Sequence, residues 1–110
     1  MSSERTRVLH AKRGPIAWLA ITSGQGTGRD FRLGASTNIG REASQNDVIL
    51  DDDAISATHA RIRVENGVFF LYDLASTNRT SVNGEHVERV MLRDGDVITL
   101  GVTTLVFKLT

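Results

Sequence analysis

The chain has 110 residues, 40% apolar and 24% charged, the profile of one globular domain rather than a disordered segment. Its 13 basic and 13 acidic side chains cancel, so no global field draws it to nucleic acid or anionic lipid, and any anion specificity has to be local. Cysteine is absent, which excludes disulfides and thiolate metal sites and fits a reducing compartment.

Residues 1–14 carry several charges and no period, and read as a flexible or edge-associated segment. The polar start Met1-Ser2-Ser3-Glu4-Arg5 is no signal peptide, and no apolar run nears the ~20 residues of a membrane span. A soluble, cytoplasmic module is expected. Gly14-Pro15 punctuates the start of the domain proper, residues 15–110. Ala17 to Thr22 is a β-like run, and Gly24-Gln25-Gly26-Thr27-Gly28 turns it into Asp30 to Leu33. These glycines superficially suggest a nucleotide loop, but Arg29 follows and no helix does, so a hairpin loop is expected. A short run, Thr37 to Ile39, ends at Gly40-Arg41.

Leu50-Asp51-Asp52-Asp53 lacks the alternating ligands and glycine of a calcium loop and reads as a solvated turn; no metal is expected. Arg61-Ile62-Arg63-Val64-Glu65 alternates cleanly, and Asn66-Gly67 is the strongest hairpin signal in the chain. The apolar density of Val68 to Asp73 predicts a strand buried on both faces. A second Asn-Gly, Asn83-Gly84, separates Thr80 to Val82 from Glu85 to Val87. Arg93-Asp94-Gly95-Asp96 turns into Val97 to Leu100, and Leu105, Phe107 and Leu109 line one side of the last strand. The pattern gives about ten strands, no helix, and an all-β sandwich.

Three polar clusters lie in the loops. Arg41 leaves a sheet edge after a glycine, and its planar fork suits a phosphate or carboxylate, although on this position alone a solvated surface arginine is the more ordinary reading. Ser56 and His59 invite a hydrolase reading. Gly-x-Ser-x-Gly and a strand-to-helix elbow are missing, however, and His59 abuts an alternating strand, so it is expected to point inward as a structural histidine. Asn78 offers a donor and an acceptor suited to a peptide backbone, or simply shapes a turn.

Taken together and in order, Gly40-Arg41, Ser56-x-x-His59, Ser76-Thr77-Asn78-x-Thr80, Val82-Asn83-Gly84 and Leu92-x-x-Gly95-Asp96-x-Ile98-x-Leu100-Gly101 closely resemble the forkhead-associated (FHA) domain. The resemblance runs from about Ile39 to Gly101. It implies an eleven-stranded, two-sheet, mostly antiparallel β-sandwich whose loops at one end bind phosphothreonine peptides, with no enzymatic activity and no cofactor. It further implies that Arg41 contacts the phosphate, Ser56 donates its hydroxyl to it, and Thr77 lines the pocket. Asn78 would pair with the peptide backbone just beyond the phosphothreonine, while His59 braces the loops and Gly40, Asn83 and Gly84 form structural turns.

Two positions depart from the family pattern. Ala57 stands where members often have Arg, Lys or Asn, removing a contact to phosphate or peptide. Arg79 stands where glycine is usual and adds a cation beside the expected peptide path. The implied partner is a phosphothreonine protein, a Ser/Thr-kinase substrate or an autophosphorylated kinase, met by a monomeric domain of a larger protein. The alternative is an FHA-fold interaction domain that no longer depends on phosphate.

Overall fold

A strand of alternating apolar residues can bury only one face, and stacking two sheets lets both apolar faces meet. The computed structural model describes residues 15–110, so the segment 1–14 lies outside the described residues. Eleven strands follow in order: β1 (Ala17–Ser23), β2 (Asp30–Arg32), β3 (Ser36–Gly40), β4 (Val48–Ile49), β5 (Ala60–Glu65), β6 (Val68–Asp73), β7 (Thr80–Val82), β8 (Glu85–Val87), β9 (Arg89–Met91), β10 (Val97–Leu100) and β11 (Thr103–Leu109). One sheet has the order β2-β1-β11-β10-β7-β8 and the other β4-β3-β5-β6-β9. Among the described residues only β3 and β4 pair in parallel. No helix among the described residues is long and apolar enough to cross a membrane.

The all-β sandwich expected from the sequence is the fold. The alternation in the sequence yields fewer strands because β4 has 2 residues and β9 has 3, too few to show a period.

The core lies between the sheets, where Leu19, Ile21, Ile98, Leu100, Leu105 and Phe107 meet Ile39, Ile62, Phe69 and Leu71. The rings of Phe69 and Phe107 bridge the two layers at 5.4 Å between centroids, tilted by 59°. Strand β6 departs from its expected burial on both faces. Phe69 and Leu71 point inward, but Val68 is exposed and Phe70 and Tyr72 are half-buried. The Arg89 guanidinium on the adjacent β9 lies 4.2 Å from the centroid of Phe70 and 5.7 Å from that of Tyr72. One cation with its apolar stem thus covers the outer aromatic face, and no second layer is needed.

Asn66-Gly67 and Asn83-Gly84 turn their hairpins with φ of 54° and 78°, and of 52° and 87°. The acidic stretch is not the solvated turn its composition suggests. Asp52 is buried, and it accepts from the Ala54 amide at 2.9 Å, the Val102 amide at 2.8 Å and the Thr103 hydroxyl at 2.8 Å. It therefore fastens the loop after β4 to the β10–β11 turn, joining the two sheets at the end where Ser56 lies. Gly101 makes room for this: its φ is +57°, and a Cβ there would come 2.8 Å from the Asp52 carboxylate.

We expect Gly101→Ala to lower stability by about 2 kcal/mol, from left-handed strain and displacement of a carboxylate held by three donors. That corresponds to a fall in Tm of roughly 8–16 °C. A melt within about 2 °C of wild type would show that the Asp52 junction carries no load.

Candidate functional site

The site begins where β3 runs out. A Cβ on Gly40 would lie 2.3 Å from the Ala57 carbonyl oxygen, so only glycine lets the two backbones approach this closely. The approach lets the Arg41 amide donate to the Ser56 carbonyl and the Glu42 amide to the Ala57 carbonyl, each at 3.1 Å. Asn46 holds the same junction from outside, its Nδ2 donating to the carbonyls of Glu42 at 2.7 Å and Ala57 at 2.6 Å.

Three sequence-predicted residues converge on the short segment 54–56. Arg41 Nε donates to the Ile55 carbonyl at 3.0 Å, which aims the guanidinium along the rim. Its terminal nitrogens have no hydrogen-bonding partner among the described residues, and Arg41 is exposed. The Thr77 amide donates to Ser56 Oγ at 3.0 Å, leaving the Ser56 hydroxyl proton free to donate elsewhere. Asn78 Nδ2 donates to the Ala54 carbonyl at 2.8 Å, which leaves its second N–H and its Oδ1 available. A guanidinium, a hydroxyl and a carboxamide are thus each anchored through one atom and open through another.

His59 supports this arrangement from the core, where it is fully buried. The Ser56 amide donates to its Nδ1 at 3.0 Å, so the proton sits on Nε2, which donates to the Arg79 carbonyl at 2.8 Å. Both ring nitrogens are therefore occupied by backbone, and neither faces the Ser56 hydroxyl. The Ser-His hydrolase reading has no nucleophile–base pair to stand on. No cluster of His, Cys, Asp or Glu suited to a metal ion occurs among the described residues.

Thr77, Asn78 and Arg79 are exposed on the loop between β6 and β7. Arg79 occupies the left-handed region with φ of +67°, so it takes the backbone shape of the glycine usual in the family. Asn83 and Gly84 lie at the far end of β7 and do not join this cluster. Asn83 Nδ2 donates to Asp96 Oδ1 at 3.0 Å and its Oδ1 accepts from the Val97 amide at 2.9 Å, fastening the β7–β8 hairpin to β10.

Sequence reasoning missed three supporting residues: Asn46, Asp52 and Asp73. Asp73 accepts from the Ser76 amide at 3.1 Å, from the Ser76 hydroxyl, and from the Thr80 hydroxyl at 2.7 Å. This shapes the start and end of the loop bearing Thr77 and Asn78. Asp73-x-x-Ser76 carries an aspartate-turn signal that points to it. Nothing local distinguishes Asp52 from Asp51 and Asp53, or marks Asn46.

The FHA domain family model matches residues 37–101, more than half of the chain. The chain belongs to the forkhead-associated family. This FHA domain is 39% identical over 92 residues to the glycogen accumulation regulator GarA of Mycobacterium tuberculosis, covering 83% of this chain and 56% of GarA. It is 35% identical over 91 residues to the oxoglutarate dehydrogenase inhibitor of Corynebacterium efficiens, covering 83% of this chain and 64% of that protein. Among solved structures it is similar, with TM-score 0.79 and 35% identity, to one from a structural and functional analysis of phosphothreonine-dependent FHA domain interactions, covering 86% of this chain and 97% of that one. The chain spans less than two thirds of the length of these two relatives. FHA domains are phosphopeptide-recognition modules, not enzymes.

Burial alone pushes the carboxyls of Asp52 and Asp73 up. The donors around them more than offset this, chiefly Thr103 for Asp52 and Ser76 for Asp73, and leave both below the ordinary carboxylate range. Depressed folded values stabilise fully above the unfolded pKa of about 3.9 and less and less as pH falls through the folded values. We expect the Tm difference between wild type and Asp73→Asn to be nearly constant between pH 7 and 5 and to shrink below about pH 4. Asp73→Asn should be less stable at pH 7 and fall less steeply in acid; an acid slope equal to that of wild type would refute the linkage.

Proposed function

We propose that this FHA domain binds a phosphothreonine-containing segment of a partner protein through Arg41, Ser56, Thr77, Asn78 and Arg79. One observation carries the reading. Arg41 and Asn78 are fixed to the 54–56 segment, Ser56 Oγ within it accepts from the Thr77 amide, and all three keep hydrogen-bonding groups with no partner among the described residues. Fixed donors with spare capacity suit an anion that arrives with three acceptor oxygens and −1.5 to −2 charges at neutral pH. They offer nothing that would abstract a proton.

In this reading the Arg41 fork and the Ser56 hydroxyl take phosphate oxygens, and Asn78 pairs with the peptide backbone just beyond the phosphothreonine. Charge-assisted hydrogen bonds of roughly 1.5–3 kcal/mol each are partly offset by the ordering of a short peptide. Affinity is then about micromolar. A threonine preference over serine comes from the γ-methyl, worth ~1 kcal/mol if buried against the rim. The partner class is a substrate of a Ser/Thr kinase or an autophosphorylated kinase, met in the cytoplasm by a monomeric domain of a larger protein.

Ala57 does not undermine this. What position 57 supplies to the site is its carbonyl, which accepts from Glu42 and Asn46 whatever side chain it carries. A phosphate-independent domain would bind plain and phosphorylated peptide alike.

Arg41→Ala should abolish detectable phosphopeptide binding in calorimetric titration. The lost Nε bond should cost about 1 kcal/mol of stability, a few degrees in Tm, so the variant stays folded. Arg41→Lys, which keeps the charge but not the fork, should retain only weak binding. Unchanged affinity in Arg41→Ala would reject the assignment. Binding should also weaken as pH drops below about 6, where the phosphate takes its second proton; constant affinity from pH 7.5 to 5.5 would argue against dianion recognition.

A further inference from the structure

Arg79 combines four features. It has φ of +67°, a conformation that side chains with a Cβ adopt at a cost glycine avoids. Its backbone is nevertheless held firmly, because its carbonyl accepts from buried His59 and the next residue, Thr80, is buried with its hydroxyl on Asp73. The preceding Asn78 is tied to the Ala54 carbonyl. The Arg79 side chain is exposed and, among the described residues, forms no hydrogen bond and no ion pair.

The loop thus pays for a cation at a position where its own geometry favours glycine, and spends that cation on nothing within the domain. Strain that the surroundings enforce, at the edge of a recognition surface, points to a ligand. A guanidinium donates five N–H groups and accepts none, so its complement is an oxyanion. With 13 basic and 13 acidic side chains overall, such an unpaired charge acts locally and not through a global field.

We propose that Arg79 forms a second anion subsite, which reads a negative charge on the residues that follow the phosphothreonine. The ligand chemistry is an oxyanion, either the carboxylate of Asp or Glu or a second phosphate. The inference rests on the reading of Arg41, Ser56 and Asn78 as the phosphothreonine site. With Asn78 on the backbone just beyond the phosphothreonine, the next residue of the loop is placed to meet the side chains that come after.

The test is a set of synthetic peptides with one phosphothreonine in an otherwise uncharged sequence. One series places a single glutamate at each of the next four positions, and a second series places a second phosphothreonine there. Each peptide is titrated into the 110-residue chain, and its affinity is expressed relative to the uncharged parent peptide within the same protein. In wild type, glutamate at one or two of these positions should tighten binding about 2–5-fold, and a second phosphate about tenfold. Both gains should shrink between 50 and 500 mM NaCl.

In Arg79→Gly and Arg79→Gln the ratio should fall to about one, and Arg79→Lys should recover part of it. A gain from the second phosphate alone assigns the subsite to doubly phosphorylated partners, and a gain from both assigns it to acidic sequences. Ratios below about 1.5 in wild type, gains insensitive to salt, or gains that persist in Arg79→Gly would overturn the subsite while leaving the phosphothreonine reading intact. Failure of wild type to bind the parent peptide would overturn both.

Discussion

The site depends on how tightly the segment 54–56 is held. Asp52 ties its start to the β10–β11 turn, and the Arg41 and Glu42 amides tie its end to β3. His59 fixes the Ser56 amide from below. On that platform the Arg41 side chain, the Thr77 amide and the Asn78 side chain each make one hydrogen bond. A loop clamped from both sheets can hold donors toward solvent without letting them fold back, which is the preorganisation that a short ligand requires.

The same clamps separate recognition from catalysis. A serine and a histidine three positions apart have the raw chemistry of a nucleophile and a base. Here the histidine is consumed by two backbone groups, and the serine oxygen receives an amide. What remains exposed are donors of fixed direction, suited to an ion that arrives already charged. The two aspartates that shape the surrounding loops, Asp52 and Asp73, are each saturated by donors of the chain itself and compete little for the cations of the rim.

Much of this was legible in the sequence, and the illegible parts share a physical cause. Strands with a period of two, turns with Asn-Gly and the ordered polar clusters announce themselves through neighbours in sequence. The buried His59 runs against that period: position 59 has the parity of Arg61 and Arg63, and its ring turns inward because the chain at 59 lies outside the strand that begins at Ala60. Asp52 and Asn46 act through partners far along the chain, Val102, Thr103 and Ala57, and their environments exist only after the sheets stack. Strand β6 misled for a related reason: its outer aromatics are covered by a charged residue of β9, and an apolar count does not register an arginine as cover.

Arg79 shows the opposite situation, a residue whose local preference is overridden. Glycine chemistry dominates its backbone, while the side chain it carries has no use inside the domain. The most direct measurement of the account is an amide and guanidine NMR titration of the domain with a phosphothreonine peptide and its unphosphorylated twin. We predict large shifts from the phosphopeptide at Arg41 Nε, the Ser56 and Ala57 amides, the Thr77 amide and the Asn78 carboxamide, with none from the twin. Equal perturbation by both peptides, or shifts confined to another face of the sandwich, would contradict it.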